Sequence, residues 1–165
     1  MNNTIIKAGE SGRIHRKWTV QKFAPGVYEA GGKPYEVIEE EGNLLLNEGI
    51  QLLEDLLIGA GGTAYNNANA RLGVGDSSAA EVATQTDLQG TSKTYKAMDT
   101  GYPSRAAQTI TWQSVFADAE ANHAWAEVTL SNAADGSGVN LNRKVQDLGT
   151  KATGTWTLQL ALTFS

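Results

Sequence analysis

The sequence predicts a mainly β protein: an antiparallel β-sandwich, jelly-roll-like, with one amphipathic helix packed on it and an extended N-terminal arm. Three observations carry this. The last third of the chain alternates apolar and polar residues at the period of a half-buried strand. One leucine-rich segment has helical spacing. The composition, with 18 glycines against three prolines and many Thr, Ser and Asn residues, is that of a turn-rich β protein. Four tryptophans, all in patterned segments, favour a packed core.

The bulk numbers set limits. A chain of 165 residues is most simply one domain, long enough to bury roughly 70% of its unfolded surface. Without cysteine, it has neither a disulfide framework nor a thiolate zinc site. A formal charge of −5 argues against a nucleic-acid coat. No apolar run approaches the ~18 residues of a membrane helix, and the start, MNNTIIKAGESG, lacks the apolar core of a signal peptide. The expectation is a soluble, unprocessed protein with no nucleic-acid or membrane partner.

Taken in order, residues 1–12 are unpatterned and read as a flexible arm; residues 13–165 read as the single sandwich domain. From Arg13 to Phe23, Ile14, Trp18 and Val20 share one strand face, with Thr19 and Gln21 on the other. Tyr35 to Glu39 is a second strand, ending in the acidic run Glu39-Glu40-Glu41. The helix is expected near 45–58. Leu46, Ile50, Leu53 and Leu57 form one row, Leu45, Leu52 and Leu56 a second, with Asn43 or Asn47 as start cap and Gly59 as the stop. Burying six such side chains would contribute on the order of 10–15 kcal/mol before entropy. Ala70 to Val74 reads as a short strand. Residues 79–107 read as loops with one or two short strands and a turn at Gly101-Tyr102-Pro103.

Three clear strands follow. In QTITWQSVF, Ile110, Trp112 and Phe116 alternate with Thr109, Thr111 and Gln113. HAWAEVTLS sets Ala124, Ala126, Val128 and Leu130 opposite Trp125, Glu127 and Thr129. After a further strand from Leu141 to Val145, the chain closes on Trp156, Leu158, Leu160, Leu162 and Phe164 in strict alternation, a strand with one buried face.

Little in the sequence points to catalysis. His15 and His123 are the only imidazoles; one lies in a basic strand and reads as a surface residue, the other opens a strand and reads as structural. Gly73-Val74-Gly75 lacks the third glycine and helix of a dinucleotide fingerprint, so it reads as a strand permitting close packing. Asp76, Asp118, Glu120 and Asp135 fall in predicted loops, where carboxylates sometimes converge on calcium, but solvated turn residues are the default. No cofactor, metal or catalytic residue is assigned. One charge feature is suggestive: Arg13 to Lys22 is basic and Glu36 to Glu41 acidic. These segments either pair as a hairpin within the chain or steer contact between copies. The partner-binding residues expected from this pattern are Ile5, Ile6 and Lys7 on the arm, Arg13, Arg16 and Lys17 on the basic strand, and Glu39, Glu40 and Glu41 on the acidic one.

The order of motifs from NLLLNEGIQLLEDLL through NNANARLGVGDSSAA, TQTDLQ, EANHAWAEVTLSNA, LNRKV and GTKATG to the final strand resembles that of small structural proteins of tailed bacteriophages, over roughly residues 43–165. A turn similar to VGDG before a T.L segment, with a Lys-Thr turn and strand at the end, also resembles tail-fibre N-terminal and collar regions. The resemblance implies a non-enzymatic virion protein. A chain of this size without fibrous repeats looks like a capsid decoration (cement) protein, a compact β domain, often trimeric, that clamps neighbouring copies of the major capsid protein on the outside of the head. A tail-fibre, collar or baseplate part is the alternative. A carbohydrate-binding sandwich, with Trp112, Trp125 and Trp156 stacking on sugar, is a third.

Overall fold

A computed structural model describes residues 12–165; the arm residues Ile5, Ile6 and Lys7 lie outside the described residues. Two five-stranded antiparallel sheets face each other. The first holds β1 (Ile14–Lys22), β2 (Glu36–Glu41), β6 (Ser104–Ala106), β7 (Thr109–Phe116) and β10 (Trp156–Phe164), in the order β2-β1-β10-β7-β6. The second holds β3 (Leu44–Leu45), β4 (Arg71–Gly75), β5 (Lys93–Ala97), β8 (Glu127–Ser131) and β9 (Asn140–Val145), in the order β3-β9-β8-β4-β5. β1 pairs with β10, β3 with β9 and β4 with β8, while β8 and β9 are neighbours in one sheet. The fold is the mainly β sandwich with one helix that the sequence predicts.

The core lies between the sheets, where the alternation places it. Trp18, Val20, Trp112, Phe116, Trp156, Leu158, Leu160 and Leu162 come from the first sheet, and Leu72, Val74, Val128 and Leu130 from the second. At one end Trp125 stands edge-on to Phe116 and to Trp156, with ring centroids 4.8 and 5.0 Å apart.

The helix, α1 (Asn47–Ile58), starts later than expected. Leu44 and Leu45 instead pair with Arg143 and Asn142 as strand β3. Neither Asn43 nor Asn47 caps the helix. Leu46 occupies the N-cap in extended conformation without a side-chain bond, and the Asn47 N–H goes to the Ala83 carbonyl. Gly59 ends the helix in the left-handed region at φ 73°, as read from the sequence. The expected wide buried face is only partly realised: Leu46 and Leu52 are buried, but Leu57 is 87% exposed and Ile58 76%. The 10–15 kcal/mol expected of it is therefore too high. What seats the helix is Gly49, where a Cβ would stand 2.5 Å from the Leu141 Cα.

The second sheet departs from alternation. All five residues of β8 are buried, because the loop of residues 76–92 covers the outer face. Glu127, predicted to face away from the apolar residues, is fully buried there against Arg143 (Nε–Oε2 2.6 Å, both side chains 0% exposed). Its carboxylate also accepts the Gln89 N–H at 2.9 Å and the Gly90 N–H at 2.7 Å. Arg143 donates onward to the Ala79 carbonyl and Gln85 Oε1. Room for this comes from glycine. A Cβ on Gly75 would overlap the Glu127 carboxylate, and one on Gly73 would meet the Tyr95 ring at 2.7 Å. The close-packing reading of Gly73-Val74-Gly75 is what the structure has.

Two stability outcomes follow. Glu127→Ala strands a buried guanidinium and should cost about 3–5 kcal/mol in urea unfolding, while a Glu127→Met/Arg143→Met pair should recover much of it. Gly49→Ala pushes a methyl into the backbone of β9; it should destabilise by roughly 1–3 kcal/mol despite alanine's helix propensity, seen as a lower thermal midpoint.

Candidate interaction surface

The loop chemistry resolves into structural bonds. Asp76 accepts the Ser92 N–H, Asp118 accepts the Thr153 hydroxyl and the Gly154 N–H, and Asp135 accepts the Ser137 hydroxyl and N–H. Each of these carboxyls is held below its ordinary range, Asp76 first by the Ser92 N–H, Asp118 by the Thr153 hydroxyl and Asp135 by the Ser137 hydroxyl. Glu120 pairs with Lys96 at 2.5 Å. Its burial works to raise the carboxyl, but the Lys96 contact and the Ala117 N–H outweigh it, and the net shift is downward. In the loop of residues 117–122 the oxygens converge on an ammonium. Lys151 Nζ donates to the carbonyls of Ala117 (2.8 Å) and Asp118 (3.1 Å) and to Asn122 Oδ1 (2.8 Å). Burial lowers the Lys151 pKa, opposed by Asp118 and Glu120. His123 sits between the Thr94 hydroxyl and the Ala124 carbonyl; the carbonyl can only accept, so Nδ1 donates to it. Both ring nitrogens are thereby engaged within the fold.

The basic and acidic segments form the β1–β2 hairpin, the intrachain alternative. Lys17 lies opposite Glu41, Trp18 opposite Glu40 and Thr19 opposite Glu39. Lys17 pairs diagonally with Glu39 at 2.8 Å, both half-exposed, an interaction worth under about 1 kcal/mol. Lys22, counted with the basic strand in the sequence, is buried against Glu36 at 2.8 Å and over the Trp156 ring at 4.5 Å. Arg13 is zipped by its backbone to Ser165. Of the predicted residues, Arg16, Lys17 and Glu41 come together with His15 around a depression of about 430 Å³. Glu39 and Glu40 lie along the same edge strand, and Arg13 stands apart at the end of the sandwich.

That end carries the feature sequence reasoning missed. An apolar cavity of about 300 Å³ opens between the sheets, lined by Ile14, Ile110, Leu162 and Phe164 from the first, Leu45 and Leu141 from the second, Leu53 from α1, and Tyr65, Trp112 and Pro103. Trp112 and Tyr65 spend their polar atoms elsewhere, on the Tyr65 carbonyl and the Val139 carbonyl. From the mouth, Leu53 leads to Ile50 and Leu57 at helical spacing, 38% and 87% exposed. Exposed apolar side chains beside an apolar cavity make this end a candidate for docking. The signal was present in the sequence as a helix more apolar than its contact with the sheet requires.

The loop carboxylates contribute to the acid response. Each has a folded-state pKa below its unfolded value, so the unfolded chain takes up protons first as pH falls. Their stabilisation is intact above the ordinary value of 3.8 and lost as pH drops through the depressed ones. The thermal midpoint should fall below that pH, and Asp118→Ala should lower it at neutral pH while flattening the acid slope. A midpoint unchanged by the substitution at either pH would contradict this.

No known protein family, curated protein or solved structure matches the chain.

Proposed function

We propose that this chain is a non-enzymatic structural protein of a tailed-phage virion, a capsid decoration (cement) protein that binds the outside of the head as a homotrimer and clamps neighbouring copies of the major capsid protein. The observation that carries a binding role is the apolar end: Ile50 and Leu57 on the helix face that carries Leu53, and Phe164 at the rim, stand exposed, from 38% to 87%, beside a cavity with almost no polar lining. Protein interfaces are built around such apolar centres with polar rims, and the charged β1–β2 edge provides rim residues in Arg16, Lys17 and Glu41. The identity of the partner rests on the motif order of residues 43–165. In the fold the VGD turn and the segment after TQTDLQ are neighbours, since Asp76 accepts the Ser92 N–H and Glu127 the Gly90 N–H.

A tail-fibre, collar or baseplate role uses the same motif and the same surface, and remains the second reading. The carbohydrate reading loses its platform: Trp112, Trp125 and Trp156 are all at most 5% exposed and cannot stack on a sugar ring. Quantitative mass spectrometry on purified particles, with heads and tails separated, discriminates. The expected result is a stoichiometry in the head fraction comparable to that of the capsid subunit. A few copies confined to the tail fraction would establish the second reading. Absence from both would overturn the virion assignment.

A further inference from the structure

The apolar cavity begins where the described chain begins. Arg13 is fixed to Ser165 by two backbone hydrogen bonds, its N–H donating at 2.6 Å and its carbonyl accepting at 2.9 Å. The chain therefore enters the sandwich at a defined point, beside Ile14 and Phe164. Those two residues line both the cavity and a second depression, which also takes in Gly12 and Arg13. The depression at the entering chain and the cavity thus adjoin at Ile14 and Phe164.

The segment upstream has the matching chemistry. Among residues 1–11, Ile5-Ile6 is the single pair of adjacent branched apolar residues. The cavity, about 300 Å³, is roughly twice the ~150 Å³ that holds a benzene-sized guest, room for two such side chains. From Ile6 to Gly12 the chain reaches at most about 20 Å, and Gly9 and Gly12 around Glu10-Ser11 supply residues suited to reversing direction.

We propose that Ile5 and Ile6 of the same chain fold back across the end of the sandwich and fill this cavity. A tether this short gives an effective concentration in the millimolar range, so in dilute solution the chain's own segment prevails over a neighbour's. The inference does not depend on the virion reading. It assigns the cavity an internal occupant and leaves the outer helix stripe, Ile50 and Leu57, to any external partner.

The chain has no cysteine, so Asn3→Cys provides one site for a nitroxide. In a sample with isotope-labelled methyl groups on the same chain, the resonances of Leu53, Ile110 and Leu162 should lose intensity, while those of Leu148, in the opposite half of the core, keep it. Adding Ile5→Asp/Ile6→Asp should restore the lost intensity with the amide spectrum of the sheets unchanged. Full intensity around the cavity in the first sample would overturn the proposal. So would loss that survives the aspartates. A third sample mixes spin-labelled chains at natural abundance with isotope-labelled chains lacking the nitroxide; equal loss there would assign the occupant to another copy and overturn docking within the chain.

Discussion

A carboxylate and a guanidinium brought into a protein interior each lose several kcal/mol of hydration, and only close pairing with further hydrogen bonds recovers it. Glu127 and Arg143 meet that demand by recruiting a loop. The carboxylate draws in the N–H groups of Gln89 and Gly90, and the guanidinium takes the Ala79 carbonyl and the Gln85 side chain. Residues 76–92 have few large apolar side chains of their own to anchor them. The charged pair does so, and its satisfaction is nearly complete, Arg143 Nη2 excepted. Around it Asp87 takes the Lys93 ammonium at 2.5 Å and the Tyr95 hydroxyl. Asn140 reaches the Thr86 carbonyl at 2.8 Å, and Glu81 accepts the Val145 N–H at 2.6 Å. The second sheet thus has an apolar core on one side and a polar one on the other.

This asymmetry decides what the sequence made legible. The outer face of the first sheet is open, with Thr19, Gln21, Gln113, Gln159 and Thr163 on it. Its cross-strand contacts join Thr109 to Thr163 at 2.7 Å and Gln159 to Gln113 at 3.0 Å. One wet face and one dry face produce period-two alternation, so β1, β7 and β10 were readable nearly to the residue. In β8 and β9 both faces are dry, and the polarity pattern no longer reports burial. Glu127, Thr129, Asn140 and Arg143 are as buried as Leu130. Their polar character marks a satisfied interior network, which only the three-dimensional arrangement of loop and strand reveals. The glycines were the one available sign, since Gly73 and Gly75 leave space that something must fill.

The helix shows a different limit. Its periodicity and its stop at Gly59 were legible, but the start was not. Leu44 and Leu45 satisfy helical spacing and strand pairing equally well, and tertiary contact with Arg143 and Asn142 chose the strand. Nor does periodicity tell how much of an apolar face finds a partner within the same chain. The charged hairpin was readable because opposite charges in neighbouring strands pair locally. The apolar end was not. Its lining comes from Ile14, Leu45, Leu53, Tyr65, Trp112, Leu141 and Leu162, residues that meet only after the sandwich closes, and each reads as ordinary core when taken alone.

Pinning the loop and leaving the end apolar have a joint consequence for binding. A surface that orders itself on contact loses affinity to that ordering, and here the second sheet's cover is already fixed by buried charge while Lys151 fixes the loop of residues 117–122 at the opposite end. Neither region has to rearrange when a partner arrives. Of the exposed large apolar side chains, Ile50, Leu57 and Ile58 stand on α1 and Phe164 at the end of β10, while Tyr35, Val37 and Val82 lie elsewhere, by β2 and on the 76–92 loop; at each the hydrophobic gain of burial is unspent. The open Thr/Gln face offers hydrogen bonds that water satisfies equally well, so it gives a partner little net energy. The helix end differs from the other exposed apolar positions in lying beside an apolar cavity, lined by Leu53 and Phe164 among others. The charged β1–β2 edge, whose pairs are weak and screened by salt, is suited to setting orientation there rather than affinity.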